Sequence, residues 1–348
     1  MNQQPEPPRK RRPRYHGSHP NHYHQKYKEL NPEQYPDAVQ KVIAKGNTPA
    51  GMHLSICVNE IVEILNPQPG EIGLDATLGF GGHTQALLPL VRPGGKMLGI
   101  DVDPIELERT QQRLRALGFS QAEWQAEHLN FAGIPKLLQK IDGAFDFILA
   151  DLGISSMQLD NPERGFTYKR PGPLDLRLNP TQGEPASALL QSISEEKLES
   201  ILREYADEQY ARILAQAICK ERGKIETTTD LTRVIQKALK QTKADVNRSI
   251  RRSFQALRIA VNDEFRVLDQ FLRNVPFCLN PGGRVAILAF HSGEDKRVQQ
   301  FFQRGLEAGI YSAISPEAIR PGTQERFQNP RSKSALLRWA IRSEQQAH

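Results

Sequence analysis

One segment constrains the fold of this 348-residue chain more than any other: Asp75-Ala76-Thr77-Leu78-Gly79-Phe80-Gly81-Gly82-His83. Residues 72–76 before it read as a buried strand, and Ala86, Leu87 and Leu90 after it form one helix face. A strand that runs through a glycine-rich turn into a helix is the unit from which parallel sheets are wound. Glycines in that turn let the backbone approach a ligand and expose amide groups at a helix N-terminus. Asp101, 22 residues beyond Gly79, ends the next strand, where doubly wound folds place a ribose-binding acid. The spacing Gly79-x-Gly81-Gly82 is not the dinucleotide Gly-x-Gly-x-x-Gly pattern. An adenosine cofactor without a pyrophosphate to cradle, such as S-adenosylmethionine (SAM), suits it better than a nicotinamide dinucleotide. Glycines that serve only tight strand–helix packing are the plainer alternative, and Asp101 weighs against it.

The pattern continues on both sides. Val58, Ile61, Val62 and Leu65 recur at helical spacing, and Pro67 and Gly70 break that helix. Residues 96–100, 145–150 and 284–290 read as strands, and Asp103-Pro104 opens a helix with proline at its favoured early position. Residues 335–341 are expected to add a last strand at the sheet edge. Between 186 and 272 the period is helical throughout, as in Leu198, Ile201, Leu202 and Tyr205, or Phe254, Leu257, Val261, Phe265 and Leu268. The expected fold is α/β: a Rossmann-like doubly wound sheet with an inserted all-helical domain. Residues 50–155 and 275–342 would form the sheet domain. Residues 156–274 would hold a motif loop and the insertion.

Residues 1–35 mix Pro, His, Gln and Arg without a hydrophobic period and are expected to be disordered. His16, His19, His22 and His24 lack a Cys or acidic partner at ligand spacing, so no physiological metal site is expected there. The net charge of +6 is unevenly spread. Residues 1–30 carry a net +5 and residues 219–258 a net +7, which leaves the rest at −6. Two basic stretches on an acidic body suit a polyanion, nucleic acid first. A solvated helix face is the alternative. No apolar run reaches the roughly 18 residues of a membrane span, and no apolar run follows the N-terminal charges as in a secretory signal. Cys57, Cys219 and Cys278 are too few and scattered for a disulfide framework or zinc knuckle. A reducing cytoplasm is the expected compartment.

Reacting groups of open α/β sheets stand at the carboxyl ends of strands. Asp151 ends the strand 145–150, and Ser155, Ser156, Gln158 and Asp160 follow in one short loop. Arg164-Gly165-Phe166-Thr167-Tyr168 and Leu174-Asp175-Leu176-Arg177 come next. Acceptors beside aromatic rings are what an exocyclic base amine needs. That nitrogen's lone pair is delocalised into the ring, and acceptors for its N–H groups draw it toward tetrahedral geometry while a ring stacks on the base. The sulfonium of SAM is already an activated electrophile, so no metal is required. Each residue also has a plainer role: Arg164 with Asp175, or Arg177 with Asp160, as ion pairs pinning a loop, and Ser155 and Ser156 as turn or cap hydroxyls. His291 ends the strand 284–290 and either meets substrate or serves as a structural hydrogen-bonding group. Ser292 and Asp295 have capping-box spacing.

Taken together, these motifs resemble the RsmH (MraW) family of SAM-dependent methyltransferases, which modify the N4 amine of a cytidine in the decoding region of 16S rRNA. The matching segments run in order from 53 to 342. They include Ile100-Asp101-Val102-Asp103-Pro104, Asp151-Leu152-Gly153-Ile154-Ser155-Ser156, Arg164-Gly165-Phe166, Gly172-Pro173-Leu174-Asp175-Leu176-Arg177, Phe254-Gln255-Ala256-Leu257-Arg258, Phe290-His291-Ser292 and Asn329-Pro330-Arg331-Ser332. The resemblance implies SAM contacts at Gly81, Gly82, His83, Asp101, Phe131, Asp151 and Gln158, and Gly79 of the same turn is expected to join them. The resemblance also implies a 16S rRNA or small-subunit partner. Asp151, Ser155, Ser156, Phe166 and His291 are the expected catalytic residues, and a homodimer is the expected assembly. Arg164, Arg177, Arg248, Arg251, Arg252 and Arg258 are the expected RNA contacts. Three stretches depart from the family pattern: His53-Leu54-Ser55-Ile56-Cys57, Arg248-Ser249-Ile250-Arg251-Arg252 and Gly293-Glu294-Asp295-Lys296. None removes a cofactor residue, so they bear on substrate identity more than on the reaction. The alternatives are a catalytically inactive RNA-binding or ribosome-assembly homologue, and a methyltransferase acting on another nucleic acid.

Overall fold

A computed structural model describes residues 55–344. The expected tail at 1–35, its four histidines, and His53 and Leu54 lie outside the described residues.

Seven strands form one sheet in the order β3-β2-β1-β4-β5-β7-β6. They are β1 (Ile72–Asp75), β2 (Lys96–Asp101), β3 (Trp124–His128), β4 (Phe145–Asp151), β5 (Leu279–Ala289), β6 (Tyr311–Ile314) and β7 (Leu336–Arg342). The first five pair in parallel, whereas β7 runs antiparallel to both β5 and β6. The expected edge strand is therefore interior. Leu337 and Ala340 are buried, and the shorter β6 takes the edge. Two strands beyond the expected ones, β3 and β6, complete the sheet.

The apolar runs explain the layers. Along β4, Phe147 and Leu149 face one core while Ile148 and Ala150 face the other, as the two-residue period of a strand requires. Leu74, Ile148 and Ile287 pack under Phe271 and Val275 on one side. Met97, Phe147 and Leu288 pack under Leu65 and Leu87 on the other. Gly73 is required by close approach, since a Cβ there would sit 2.1 Å from the Phe147 ring.

Helices at Ala186–Ser192, Glu195–Ala206, Ala211–Glu221, Thr228–Leu239 and Val246–Asn262 share a third core built on Leu202, Leu214, Ile218, Ile235 and Leu257. Asp263, at φ 50°, turns the chain sharply into the next helix, Glu264–Cys278. The buried side chains of that helix, Phe271 and Val275 among them, join the sheet's core. The insertion expected to end at 274 thus meets the sheet within one continuous helix. No helix of the described residues is long and apolar enough to cross a membrane.

Strand order reverses between β1 and β4, with β2 and β3 on one side and β5 on the other. At such a switch point the connections leave in opposite directions and open a crevice beyond the strands' carboxyl ends. Asp75 and Asp151 stand there.

Candidate active site at the carboxyl ends of β1, β2 and β4

Three aspartates end the neighbouring strands β2, β1 and β4. Asp75 is buried, and its carboxylate accepts from Thr84 Oγ1 at 2.6 Å and from the Thr77 amide at 3.2 Å. Asp101 accepts from the Gly79 amide at 2.7 Å and from the Asp103 amide at 2.8 Å. Burial pushes its carboxyl up to about 6, against the pull of those two amides. The glycine turn is thereby tied to β2. Gly81, at φ 73°, adopts a left-handed conformation that glycine tolerates at little cost. The helix Pro104–Ala116 braces the turn from behind: Thr110 Oγ1 donates to the Gly79 carbonyl at 2.5 Å, and Arg113 donates to the Phe80 carbonyl.

Asp151 faces the turn. Its amide donates to Thr77 Oγ1 at 2.5 Å, and its Oδ2 lies 3.6 Å from His83 Nδ1. Its Oδ1 is buried with no hydrogen-bond partner among the described residues. Burial pushes this carboxyl from the ordinary 3.8 to about 6, and His83 opposes the shift. His83 Nε2 sits 2.9 Å from the Ile56 carbonyl. A carbonyl only accepts, so Nε2 carries a proton. Nδ1 is the ring nitrogen turned toward Asp151.

Asp103 joins this wall to the loop after β4. Its Oδ1 caps the helix 104–116 by accepting from the Ile105 amide at 3.0 Å. Its Oδ2 accepts from Gln158 Nε2 at 2.7 Å and from Arg164 Nη1 at 2.5 Å. Gln158 also accepts from the Ser155 amide at 2.8 Å, and Ser155 Oγ accepts from the Gln158 amide at 3.1 Å. Ser155 is thus the cap of the short helix Ser156–Asp160, the plainer of its two readings. Ser156 is the first residue of that helix.

Several expected contacts are turned inward. Arg164 is buried, and besides Asp103 its guanidinium donates to the carbonyls of Arg177 and Leu178 at 3.2 and 2.9 Å. Phe166 lies in the helical core. Arg258 is held by Glu264 through two bonds of 2.8 and 2.9 Å, and Arg177 by Asp175 through bonds of 2.7 and 2.8 Å. The guanidiniums of Arg164 and Arg258, expected to meet phosphate, are thus engaged within the chain, and Phe166, an expected catalytic residue, is buried. The loop ion pairs also differ in part, since Asp160 pairs with Arg331 at 2.7 Å. Phe131 packs edge-on against Phe271, with ring centroids 5.0 Å apart. Arg248 and Arg251 are exposed, Arg252 is half-buried, and none has an ion-pair partner among the described residues.

His291 caps the helix Ser292–Glu307, its Nδ1 accepting from the Glu294 amide at 3.4 Å, so the expected cap at Ser292 moves back one residue. Its Nε2 lies 3.2 Å from Glu294 Oε1. Burial works against charge on Glu294, but His291 and Arg258 beside it hold its carboxyl below the ordinary range. Thr77, Asp103 and Glu294 organise the crevice and were not singled out for it. Asp103 carried one legible signal, its place before Pro104.

Residues 50–343 match the MraW methylase family. The chain is 52% identical over 343 residues to "Ribosomal RNA small subunit methyltransferase H 2" of Alkaliphilus metalliredigens (strain QYMF), covering 96% of this chain and 98% of that one. It is 50% identical over 346 residues to "Ribosomal RNA small subunit methyltransferase H 1" of Lachnoclostridium phytofermentans, covering 97% and 94%. "Ribosomal RNA small subunit methyltransferase H" of Thioalkalivibrio sulfidiphilus is 37% identical over 313 residues, covering 84% and 98%.

Removing either partner of the buried Asp103–Arg164 pair strands the other in a low-dielectric site. Asp103→Ala and Arg164→Ala should each lower the unfolding free energy by about 3–5 kcal/mol. The double variant should lose less than the sum, because either deletion already destroys the pair. Urea unfolding of the four proteins checks this, and strict additivity would show that the two side chains are not coupled.

Proposed function

The chain belongs to the MraW methylase family, and from that premise we propose that it methylates the exocyclic N4 amine of a cytidine in the decoding region of 16S rRNA. It is a SAM-dependent rRNA methyltransferase. The observation that carries the finer reading is Asp151 Oδ1, a buried acceptor without a partner at the switch point of the sheet.

The crevice fits the cofactor. A Cβ built on Gly79 meets only the Thr77 carbonyl, at 3.8 Å, so the turn is open on that side. The residues that would hold SAM are the 79–83 turn, Asp101, Phe131, Asp151 and Gln158. When bound, SAM supplies a methyl group on a sulfonium, an electrophile that needs no further activation. The chain's own task concerns the acceptor. Asp151 Oδ1 accepts one N–H of the amine, which returns electron density to nitrogen, and it takes up the proton that the methylated amine releases. His83 Nδ1, 3.6 Å from Oδ2, is the next station for that proton. His291, fixed by Glu294, stands on the neighbouring strand end as a candidate substrate contact, and Ser156 opens the helix beyond Asp151.

The insertion supplies the phosphate contacts in this reading. Arg248, Arg251 and Arg252 lie in the first two turns of the helix Val246–Asn262. A reducing cytoplasm fits three unpaired thiols, Cys57, Cys219 and Cys278. Association into a homodimer belongs to the same proposal, and sedimentation equilibrium reads it directly.

Two outcomes test the assignment. Asp151→Asn should lower kcat for transfer of labelled methyl from SAM to unmodified small-subunit rRNA by roughly 10²–10⁴-fold, the range of a lost acid–base group. In the wild type the carboxylate must be ionised to accept the N–H, and its pKa is pushed up to about 6. The rate should therefore fall as pH drops through about 6, and this limb should vanish in Asp151→Asn. Full activity in Asp151→Asn would remove Asp151 from the chemistry. Reversing Arg248, Arg251 and Arg252 to Glu should weaken RNA binding and flatten its salt dependence while SAM binding stays unchanged. An unaltered salt slope would make that helix face merely solvated.

A further inference from the structure

The segment after β6 folds back over the same end of the sheet. Glu325, in the short helix Thr323–Gln328, accepts from the Cys57 amide at 3.0 Å. Cys57 adjoins Ile56, whose carbonyl holds His83. Arg331 donates to Asp160 at 2.7 Å, at the end of the helix that carries Gln158. The segment is thus pinned on one side to the support of His83 and on the other to the loop after Asp151.

Phe327 sits between the two pins and is 87% exposed. A large apolar ring left in water gains nothing for the fold. The other strongly exposed aromatic among the described residues, Phe277 at 74%, lies just before β5 begins, at the amino end of that strand and away from the reacting groups. Cations surround Phe327 in the chain. Arg320, Arg326 and Lys333 are exposed, and none pairs with an acid among the described residues. Glu325 is the one acid between 320 and 334, and its carboxylate is turned to Cys57. One ring among three cations suits a single strand of nucleic acid, where every base offers a face to stack on and phosphates follow at regular intervals. A membrane surface would need a broader apolar face.

We propose that residues 320–334 are the RNA-strand contact at the rim of the site. Phe327 stacks on a base flanking the one delivered to Asp151, and Arg320, Arg326 and Lys333 meet phosphates. The inference rests on the rRNA reading and gives that reading an exposed aromatic contact at the rim of the site.

The test compares the full chain with Phe327→Ala and Phe327→Trp. It measures affinity for unmodified 16S rRNA, affinity for SAM, and melting temperature. Phe327→Ala should bind RNA about 5- to 150-fold more weakly, the range for one lost base–aromatic stack. SAM affinity and melting temperature should not move, and Phe327→Trp should restore RNA binding. Unchanged RNA affinity in Phe327→Ala overturns the proposal, as does a lowered melting temperature with RNA binding intact, which would place the ring against the chain itself. A wild type that binds the RNA but transfers no methyl group contradicts the enzymatic reading alone, and the Phe327 comparison is still decided. A wild type with no affinity for the RNA overturns both.

Discussion

The crevice is organised around the carboxylate of Asp103, which is fully buried. One of its oxygens caps the helix behind the glycine turn, and the other takes Gln158 and Arg164. Its own amide fixes Asp101. A buried charge is tolerable only when its partners are in place, so the segments bearing Gln158 and Arg164 must close onto the end of β2. Arg164 in turn holds the carbonyls of Arg177 and Leu178. Asn262, at the end of the insertion's last helix, accepts from the Leu178 amide at 2.7 Å and donates to the Leu176 carbonyl at 2.8 Å. A chain of polar contacts therefore runs from the glycine turn to the helical insertion.

Burial explains which parts were legible in advance. The strands β1, β2, β4 and β5 are apolar runs between turn residues, and they could be read directly. The strand β3, Trp124-Gln125-Ala126-Glu127-His128, has one fully buried residue, so its polar sequence hid it. β6 is a four-residue edge strand. The interior place of β7 follows from pairing on both its sides, which no local pattern encodes. Asp103 was visible as a helix cap because the cap is local. Its bonds to Gln158 and Arg164 span 55 and 61 residues, and such partners are not local. The burial of Arg164 and Phe166 is hidden for the same reason: loop sequence does not reveal that a loop is folded under. His291 displaced Ser292 as cap because its ring reaches the Glu294 amide from the preceding position.

The departures from the family pattern acquire physical content. At Gly293 a Cβ would lie 2.6 Å from the Phe265 ring, and the Arg297 guanidinium covers that ring with its central carbon 3.9 Å from the centroid. The glycine there serves packing beside His291. Cys57 lends its amide to Glu325 and so anchors the segment that carries Phe327. The basic stretch between 219 and 258 divides as well. Lys237 and Lys224 pair with Glu221, Arg233 pairs with Asp230, and Arg258 pairs with Glu264. Lys220, Lys240, Lys243, Arg248, Arg251 and Arg252 have no ion-pair partner among the described residues and remain available to a polyanion.

We propose one chemical outcome for these features, a methyl group placed on a cytidine amine by the groups around Asp151. The most direct measurement maps modified nucleotides in 16S rRNA by mass spectrometry from the host, from a strain lacking the gene, and from that strain carrying the wild-type gene or Asp151→Asn. Methylation at the N4 position of one decoding-region cytidine should disappear with the gene, return with the wild type, and stay absent with Asp151→Asn. Unchanged cytidine methylation in the strain lacking the gene would contradict the proposal.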